Sequence, residues 1–317
     1  LPQREHLFLL GDIGGTKARL AIYDPVESQI KIQRIFQSRE FSSIDHLLTS
    51  FLKSVSSRPE YAILALAGPV IKGKVTMTNL GWKVDSKALK KNFKFKKVTL
   101  INDLQAIACS IFLLSDQDLF PARVVESIRK YPKAFMAPGT GLGVSVLVSR
   151  NPLRVMATEA GHVLFTPLDD EEWGFSQFLR DKGILPVWEE VLSGRGLSNL
   201  FEFFYKKQLS PEEIVSFAMK GDYQARKIVA KYLGLLGRKS YEIALSFEPL
   251  GGIFLAGGLI LAMKTFLEKE EMRREFFSGY FCNEKLKELL SAIPIFLILH
   301  PHPGLLGVQT IVHIQSK

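Results

Sequence analysis

The feature that most restricts how this chain can fold is a glycine-rich turn set between two apolar runs, and it occurs twice. Residues 9–24 read LLGDIGGTKARLAIYD, with Gly11, Asp12, Ile13, Gly14, Gly15 and Thr16 at and before the turn. A Walker loop, G-x-x-x-x-G-K-[ST], does not fit, and neither does G-x-G-x-x-G opening into a helix. The segment after the turn is short, mostly apolar and ends at Asp24-Pro25, so it reads as a strand. The turn is then a hairpin tip whose backbone N–H groups can meet a phosphate. Residues 133–149, KAFMAPGTGLGVSVLVS, repeat the design around Gly139, Thr140, Gly141 and Gly143. Two such hairpins, far apart in sequence, suggest an internal duplication. Each would open one lobe, and the two tips would face each other across a cleft.

A third glycine-rich site, GGIFLAGGLI, places a strand at Ile253–Ala256. Gly257 and Gly258 then open the next segment, where absent side chains let a flat group lie against the backbone. Ahead of it, Ile228, Val229, Tyr232, Leu233 and Leu236 carry helical spacing, ended by Pro249 and Gly251. A closing helix is expected from Pro303. A length of 317 residues suits two lobes, and 47% hydrophobic residues suit a folded globular protein. No 18-residue uncharged apolar stretch is present, so no membrane span is expected. The apolar run near the start is too short for a signal peptide. Cys109 and Cys282 make neither a disulfide framework nor a zinc cluster, and a reducing cytoplasm is the simple reading. The net charge is +9, from 41 Lys and Arg against 32 Asp and Glu. The lysine cluster between Lys87 and Lys97 reads as a solvated surface helix begun by Asp85 or Ser86, followed by a buried strand, and not as a nucleic-acid site.

Several side chains could carry chemistry. VTLINDLQAIA sets Asn102 and Asp103 just after an apolar strand, where α/β sheets place ligands. Asp103 could accept a proton from an attacking hydroxyl or cap the helix 104–114, and local sequence favours the cap. Glu159 and His162 in ATEAGHVLFTP, Glu189 and Glu190 ahead of a glycine turn, and Asn79 before Trp82 can all grip hydroxyls in directional hydrogen bonds. His300 and His302 alternate with prolines and read as a turn.

Taken in order, G-D-I-G-G-T-K-A-R-L, A-G-P-V, T-N-L-G-W, L-I-N-D-L-Q-A, P-G-T-G-L-G, T-E-A-G-H, L-S-G-R-G-L and A-G-G-L resemble the bacterial glucokinase family over about residues 7–307. The resemblance implies an α/β, two-lobed, actin-like hexokinase fold, a duplicated ribonuclease-H-like unit. The expected division is a small domain of residues 1–112, to which a helix of 303–317 returns, and a large domain of 113–302. The implied activity is ATP-dependent phosphorylation of glucose at its 6-hydroxyl with Mg²⁺. By position, Gly11–Thr16 resembles the first phosphate loop, with Asp12 holding Mg²⁺ through water. Gly139–Gly143 resembles the second phosphate loop, and Gly257 and Gly258 the adenosine contact. Asn79, Asn102, Asp103, Glu159, His162 and Glu189 are the expected sugar-binding residues, with Asp103 also the base. Lys17, Ala160 and Arg195 depart from the usual pattern. Ala160 questions how closely the backbone approaches the sugar. The related ROK kinases carry a cysteine-rich zinc motif after a similar E-x-G-H, which two cysteines cannot supply. Glucose and ATP are the expected partners, with no nucleic acid and no membrane, and the family suggests a homodimer. The rival readings are a kinase for another hexose or hexosamine, and a silent sugar-sensing regulator.

Overall fold

The apolar runs flanking Gly14–Thr16 form two antiparallel strands in the computed structural model, which describes residues 6–126 and 130–315. The chain divides into two units. One comprises residues up to Ser115, Arg150–Ala157 and the chain from His302 onward; the other comprises Asp116–Ser149 and Thr158–Pro301.

In the first unit the elements run β1 (Phe8–Ile13), β2 (Lys17–Asp24), β3 (Gln29–Gln37), α1 (Ile44–Lys53), β4 (Tyr61–Leu66), β5 (Lys74–Met77), β6 (Trp82–Asp85), α2 (Ser86–Phe93), β7 (Lys97–Asn102) and α3 (Asp103–Ser110). The main sheet has the order β3-β2-β1-β4-β7, while β5 and β6 pair separately. β1, β4 and β7 are parallel, in a register that aligns Ile13, Leu66 and Asn102. β1 is apolar on both faces because both are covered. Leu9 and Ile13 pack with Leu48, Phe51 and Leu89, and Phe8 and Leu10 pack with Tyr23, Val308 and Val312. The last two belong to the C-terminal helix, Pro303–Gln315, which lies against α3. At 25 cal/mol per Å² of apolar surface, each large side chain buried here contributes about 1.5–3 kcal/mol.

The second unit carries β8 (Leu119–Arg123), β9 (Lys133–Pro138), β10 (Leu142–Arg150), α4 (Asp170–Asp181), α5 (Trp188–Leu192), α6 (Gly194–Tyr205), α7 (Pro211–Met219), α8 (Tyr223–Phe247), β12 (Ile253–Leu255), α9 (Gly258–Leu267), α10 (Glu270–Tyr280), α11 (Lys287–Ser291) and β13 (Ile295–Ile298), and β11 (Leu153–Thr158) joins its sheet although Arg150–Ala157 belong to the first unit. Its sheet has the order β11-β10-β9-β12-β13-β8. β9 and β10 are antiparallel, β9, β12 and β13 parallel, and β8 is an added antiparallel edge. Apart from that edge, the strand order is the one found in the first unit. α8 begins at the Asp222 cap and ends at Glu248, which takes a left-handed conformation (φ 42°) just before Pro249. Within the core, Glu172 and Arg238 form a buried ion pair at 2.6 Å.

Three local expectations need correction. The helix after Asp103 ends at Ser110, whose Oγ donates to Ile107 O (2.7 Å) and whose carbonyl accepts from Leu113 and Leu114, closing a turn. β7 is half-buried, not buried, because it is the edge of its sheet. Gly194–Gly196 is not a turn after Glu190. Ser193 caps α6 by accepting from Gly196 N–H, and the glycines form the helix's first turn.

Candidate functional site

The aligned carboxyl ends of β1, β4 and β7 bring the first unit's expected site residues to one end of its sheet. The β1–β2 tip closes with Gly14 N–H donating to Lys17 O at 3.0 Å. Asn79 sits beside that tip: a Cβ on Gly15 would lie 3.1 Å from the Asn79 Cβ. Asn102, at the end of β7, donates from Nδ2 to Gly68 O (3.1 Å), which ties the segment after β4 to the start of α3.

The start of α3 decides between the two roles open to Asp103. Asn102, not Asp103, is the cap. Its Oδ1 accepts from Leu104 N–H at 3.0 Å, and Gln105 Oε1 accepts from Asn102 N–H at 3.2 Å, completing a capping box. Asp103 is the first residue of the helix, and its Oδ1 also accepts from Leu104 N–H. The cap that local sequence favours for Asp103 therefore falls on Asn102, although Asp103 shares the Leu104 N–H. A carboxylate in the first turn is still favoured by the helix dipole.

Asp12 lies on β1 opposite Arg19, with Arg19 Nη1 at 3.5 Å from its Oδ2. It also faces the start of the C-terminal helix, since a Cβ on Gly304 would fall 2.7 Å from the Asp12 carboxyl carbon. Burial pushes the Asp12 carboxyl above its usual range, and the Arg19 charge opposes that shift.

In the second unit the β9–β10 tip closes by Gly139 N–H donating to Gly141 O at 2.8 Å. Glu159 precedes a short 3₁₀ turn, Ala160–His162, which His162 ends. Thr158 Oγ donates to Val144 O (2.9 Å) and accepts from Ala160 N–H (3.3 Å). The close backbone approach in this segment is at Gly161, where a Cβ would fall 2.0 Å from Leu142 O. Ala160 therefore stands beside the constrained position and not in it. The Glu159 and His162 side chains are each 58% exposed, with Oε2 and Nε2 3.9 Å apart, so both are open to a ligand. Glu189, in α5, reaches the same hairpin, its Oε2 accepting from Leu142 N–H at 3.0 Å. Gly257 has φ 100° and precedes α9, and a Cβ there would lie 3.0 Å from Pro138 O. Gly258 opens that helix, and a Cβ there would meet no heavy atom within 4 Å. Met136, Leu255 and Leu297 are in register, so the Gly139 tip and Gly257 lie at one end of this sheet.

Sequence reasoning did not find the part played by Arg195, which donates to both Glu189 and Glu190. The signal was a basic residue five and six positions beyond two glutamates. Thr140, Gly143 and Gly11 lie within the hairpins as expected of their positions. His300 and His302 fall in the irregular stretch between β13 and the C-terminal helix. Among the described residues no group of three or more His, Cys, Asp or Glu is arranged to hold a metal ion, and no helix is long and apolar enough to cross a membrane.

The repeated strand order with a glycine hairpin at the head of each sheet is that of an α/β sugar-kinase fold related to the actin-like ATPases. A glucokinase from an Antarctic psychrotroph aligns with a TM-score of 0.78 at 26% identity, over 97% of this chain and 99% of that one. The glucokinase of Balamuthia mandrillaris in complex with glucose aligns with a TM-score of 0.81 at 23% identity, over 98% and 94%, a likeness of fold. In sequence the chain is 32% identical over 324 residues to the glucokinase of Caulobacter vibrioides (strain NA1000 / CB15N), covering 98% of this chain and 96% of that protein. The family model described as Glucokinase matches residues 9–315, and the chain belongs to the glucokinase family.

Proposed function

We propose that this sugar kinase is an ATP-dependent glucokinase, transferring the γ-phosphoryl group of ATP to the 6-hydroxyl of glucose with Asp103 as the general base. The observation that carries the reading is the start of α3. There Asn102 and Gln105 form the capping box, and Asp103 follows at the carboxyl end of β7 in the first turn of α3. Family membership supplies the reaction class, and the repeated sheet order supports a duplicated fold.

Phosphoryl transfer asks little covalent work of a protein; it asks for alignment and charge neutralisation. In this reading the Gly11–Thr16 and Gly139–Gly143 hairpins offer backbone N–H groups to phosphate oxygens, and Gly257 and Gly258 leave a flat backbone surface for the adenosine. Asn79, Asn102, Glu159, His162 and Glu189 hold the hexose hydroxyls. Asp103 takes the 6-hydroxyl proton as the new O–P bond forms, while the bond to the ADP oxygen breaks. Asp12 fits a role toward Mg²⁺. A hard cation that keeps most of its waters needs only one or two carboxylates beside phosphate oxygens, and Asp12 is a largely buried carboxylate with Arg19 Nη1 3.5 Å from its Oδ2. Mg²⁺ bound with ATP would supply neutralisation of the phosphate charge.

The test is a coupled assay of the purified chain with a panel of hexoses and hexosamines and several phosphate donors. Glucose with ATP should give the highest kcat/KM. Preference for another sugar refutes the substrate assignment, and no turnover of any sugar refutes the enzyme reading.

A further inference from the structure

Glu189 is held from two sides. Its Oε2 accepts from Leu142 N–H at 3.0 Å, at the tip of the β9–β10 hairpin, and its Oε1 accepts from Arg195 Nη2 at 3.1 Å. The same Arg195 nitrogen donates to Glu190 Oε1 at 2.9 Å, so one guanidinium joins two consecutive carboxylates that would otherwise repel. The hairpin is fastened to this junction through the backbone as well, with Gly194 N–H donating to Gly139 O at 2.9 Å. A Cβ on Gly141 would fall 2.5 Å from Glu189 Oε2, so the tip and the carboxylate are in direct contact. The Glu189 side chain is 17% exposed and that of Arg195 51%. An ionised carboxylate has about four lone-pair sites. Two are taken here, which leaves acceptor capacity for a hydroxyl.

Resting on the reading of Glu189 as a hexose ligand, we propose that Arg195 is a positioning residue. It fixes Glu189 against the tip of the second phosphate hairpin, so that sugar and nucleotide phosphate are recognised around one immobilised carboxylate. Without Arg195, Glu190 repels Glu189, and the hydrogen bond from the Leu142 amide is left to restrain it. The arrangement also links the two ligands. A hexose that engages Glu189 steadies the residue that holds the hairpin tip, and by thermodynamic reciprocity a nucleotide phosphate on the tip steadies the hexose ligand.

The experiment compares the wild type with Arg195→Met and Arg195→Lys in the full chain, assaying glucose phosphorylation over a range of salt. Arg195→Met should raise the glucose KM about twofold to fivefold, the range of an exposed ion pair, with kcat changed less than KM. Lysine, which can still donate to both carboxylates, should recover part of the loss. Raising salt should lift the wild-type KM, where it screens the Arg195 pair, and lower that of the methionine variant, where it screens the Glu189–Glu190 repulsion, so that the two converge. A second readout needs no sugar: in the ligand-free protein, hydrogen exchange at the Leu142 amide should be faster in Arg195→Met. A methionine variant with the wild-type KM and wild-type Leu142 exchange overturns the proposal. Should the wild type fail to phosphorylate glucose, the glucokinase reading falls and Leu142 exchange alone decides. Faster exchange then upholds the clamp and unchanged exchange overturns it.

Discussion

Replacing Asp103 by Asn separates chemistry from structure at this position better than any other single change. The capping box resides on Asn102 and Gln105, so the substitution leaves both of its hydrogen bonds intact. What it removes from the fold is a first-turn negative charge, worth about 0.3–1 kcal/mol through the helix dipole. The bond from Leu104 N–H to Asp103 Oδ1 (3.0 Å) has an equivalent acceptor in asparagine. Through the helix dipole the loss of stability should be about 0.3–1 kcal/mol. Catalysis should fall far more, since a positioned base contributes about 10²–10⁴-fold, or roughly 3–5 kcal/mol of barrier. Glucose binding, followed by tryptophan fluorescence or calorimetry, should persist, because the amide still hydrogen-bonds a hydroxyl. The companion Asn102→Ala reverses the pattern at the level of the fold, costing about 0.5–2 kcal/mol for the lost cap and more for the orphaned contact to Gly68 O. Thermal melts and a coupled kcat assay on both variants settle the matter. A kcat for Asp103→Asn within a few-fold of the wild type, in a folded protein that binds glucose, refutes the base assignment.

Glu159→Gln should raise the glucose KM at least about tenfold, the loss expected for one hydrogen bond to a charged acceptor, and an unchanged KM removes Glu159 from the sugar site. The lysine-bearing surface of α2 should give no tight DNA or RNA complex in a gel-shift titration at moderate salt, and a high-affinity, salt-dependent complex would contradict its reading as a solvated face. Burial pushes the Cys109 thiol up to about 12, while Cys282 is exposed. A disulfide reagent at pH 8 should therefore modify Cys282 alone in the native protein and both thiols after denaturation; rapid native modification of Cys109 would contradict its packing.

The glycine hairpins were legible because their signal is local: an apolar run, a tip that tolerates few side chains, and a second apolar run. The closing helix from Pro303 and the long helix ahead of Pro249 were legible for the same reason, with periodicity and a stop both present. The capping assignment went wrong where two good caps are adjacent. Asn102 and Asp103 rank together by preference, but only Asn102 has a glutamine three residues on, and that spacing was the readable clue. β7 was expected to be buried because its composition is apolar, whereas its burial depends on being an edge, a property set by distant strand pairing. The contact of Arg195 with Glu189 and Glu190 was legible only as a spacing. It depends on Glu189 and Arg195 meeting where two short helices join, and on the Leu142 amide, 47 residues away, arriving at the same carboxylate.

The first unit is assembled from segments at opposite ends of the numbering: Phe8, Leu10 and Tyr23 share one core with Leu305, Val308 and Val312. A ribosome delivers these strands long before their cover. Until residues 303–315 have been made, one face of β1 lacks the C-terminal helix and has only Ala106 and Cys109 of α3 against it, although most of the second unit, 158–301, has already been synthesised. Domains usually mature in the order of synthesis, whereas here the amino-terminal sheet cannot complete its core until the last helix is made. A stop codon shortly before Pro303 would leave the second unit able to form and the first one open.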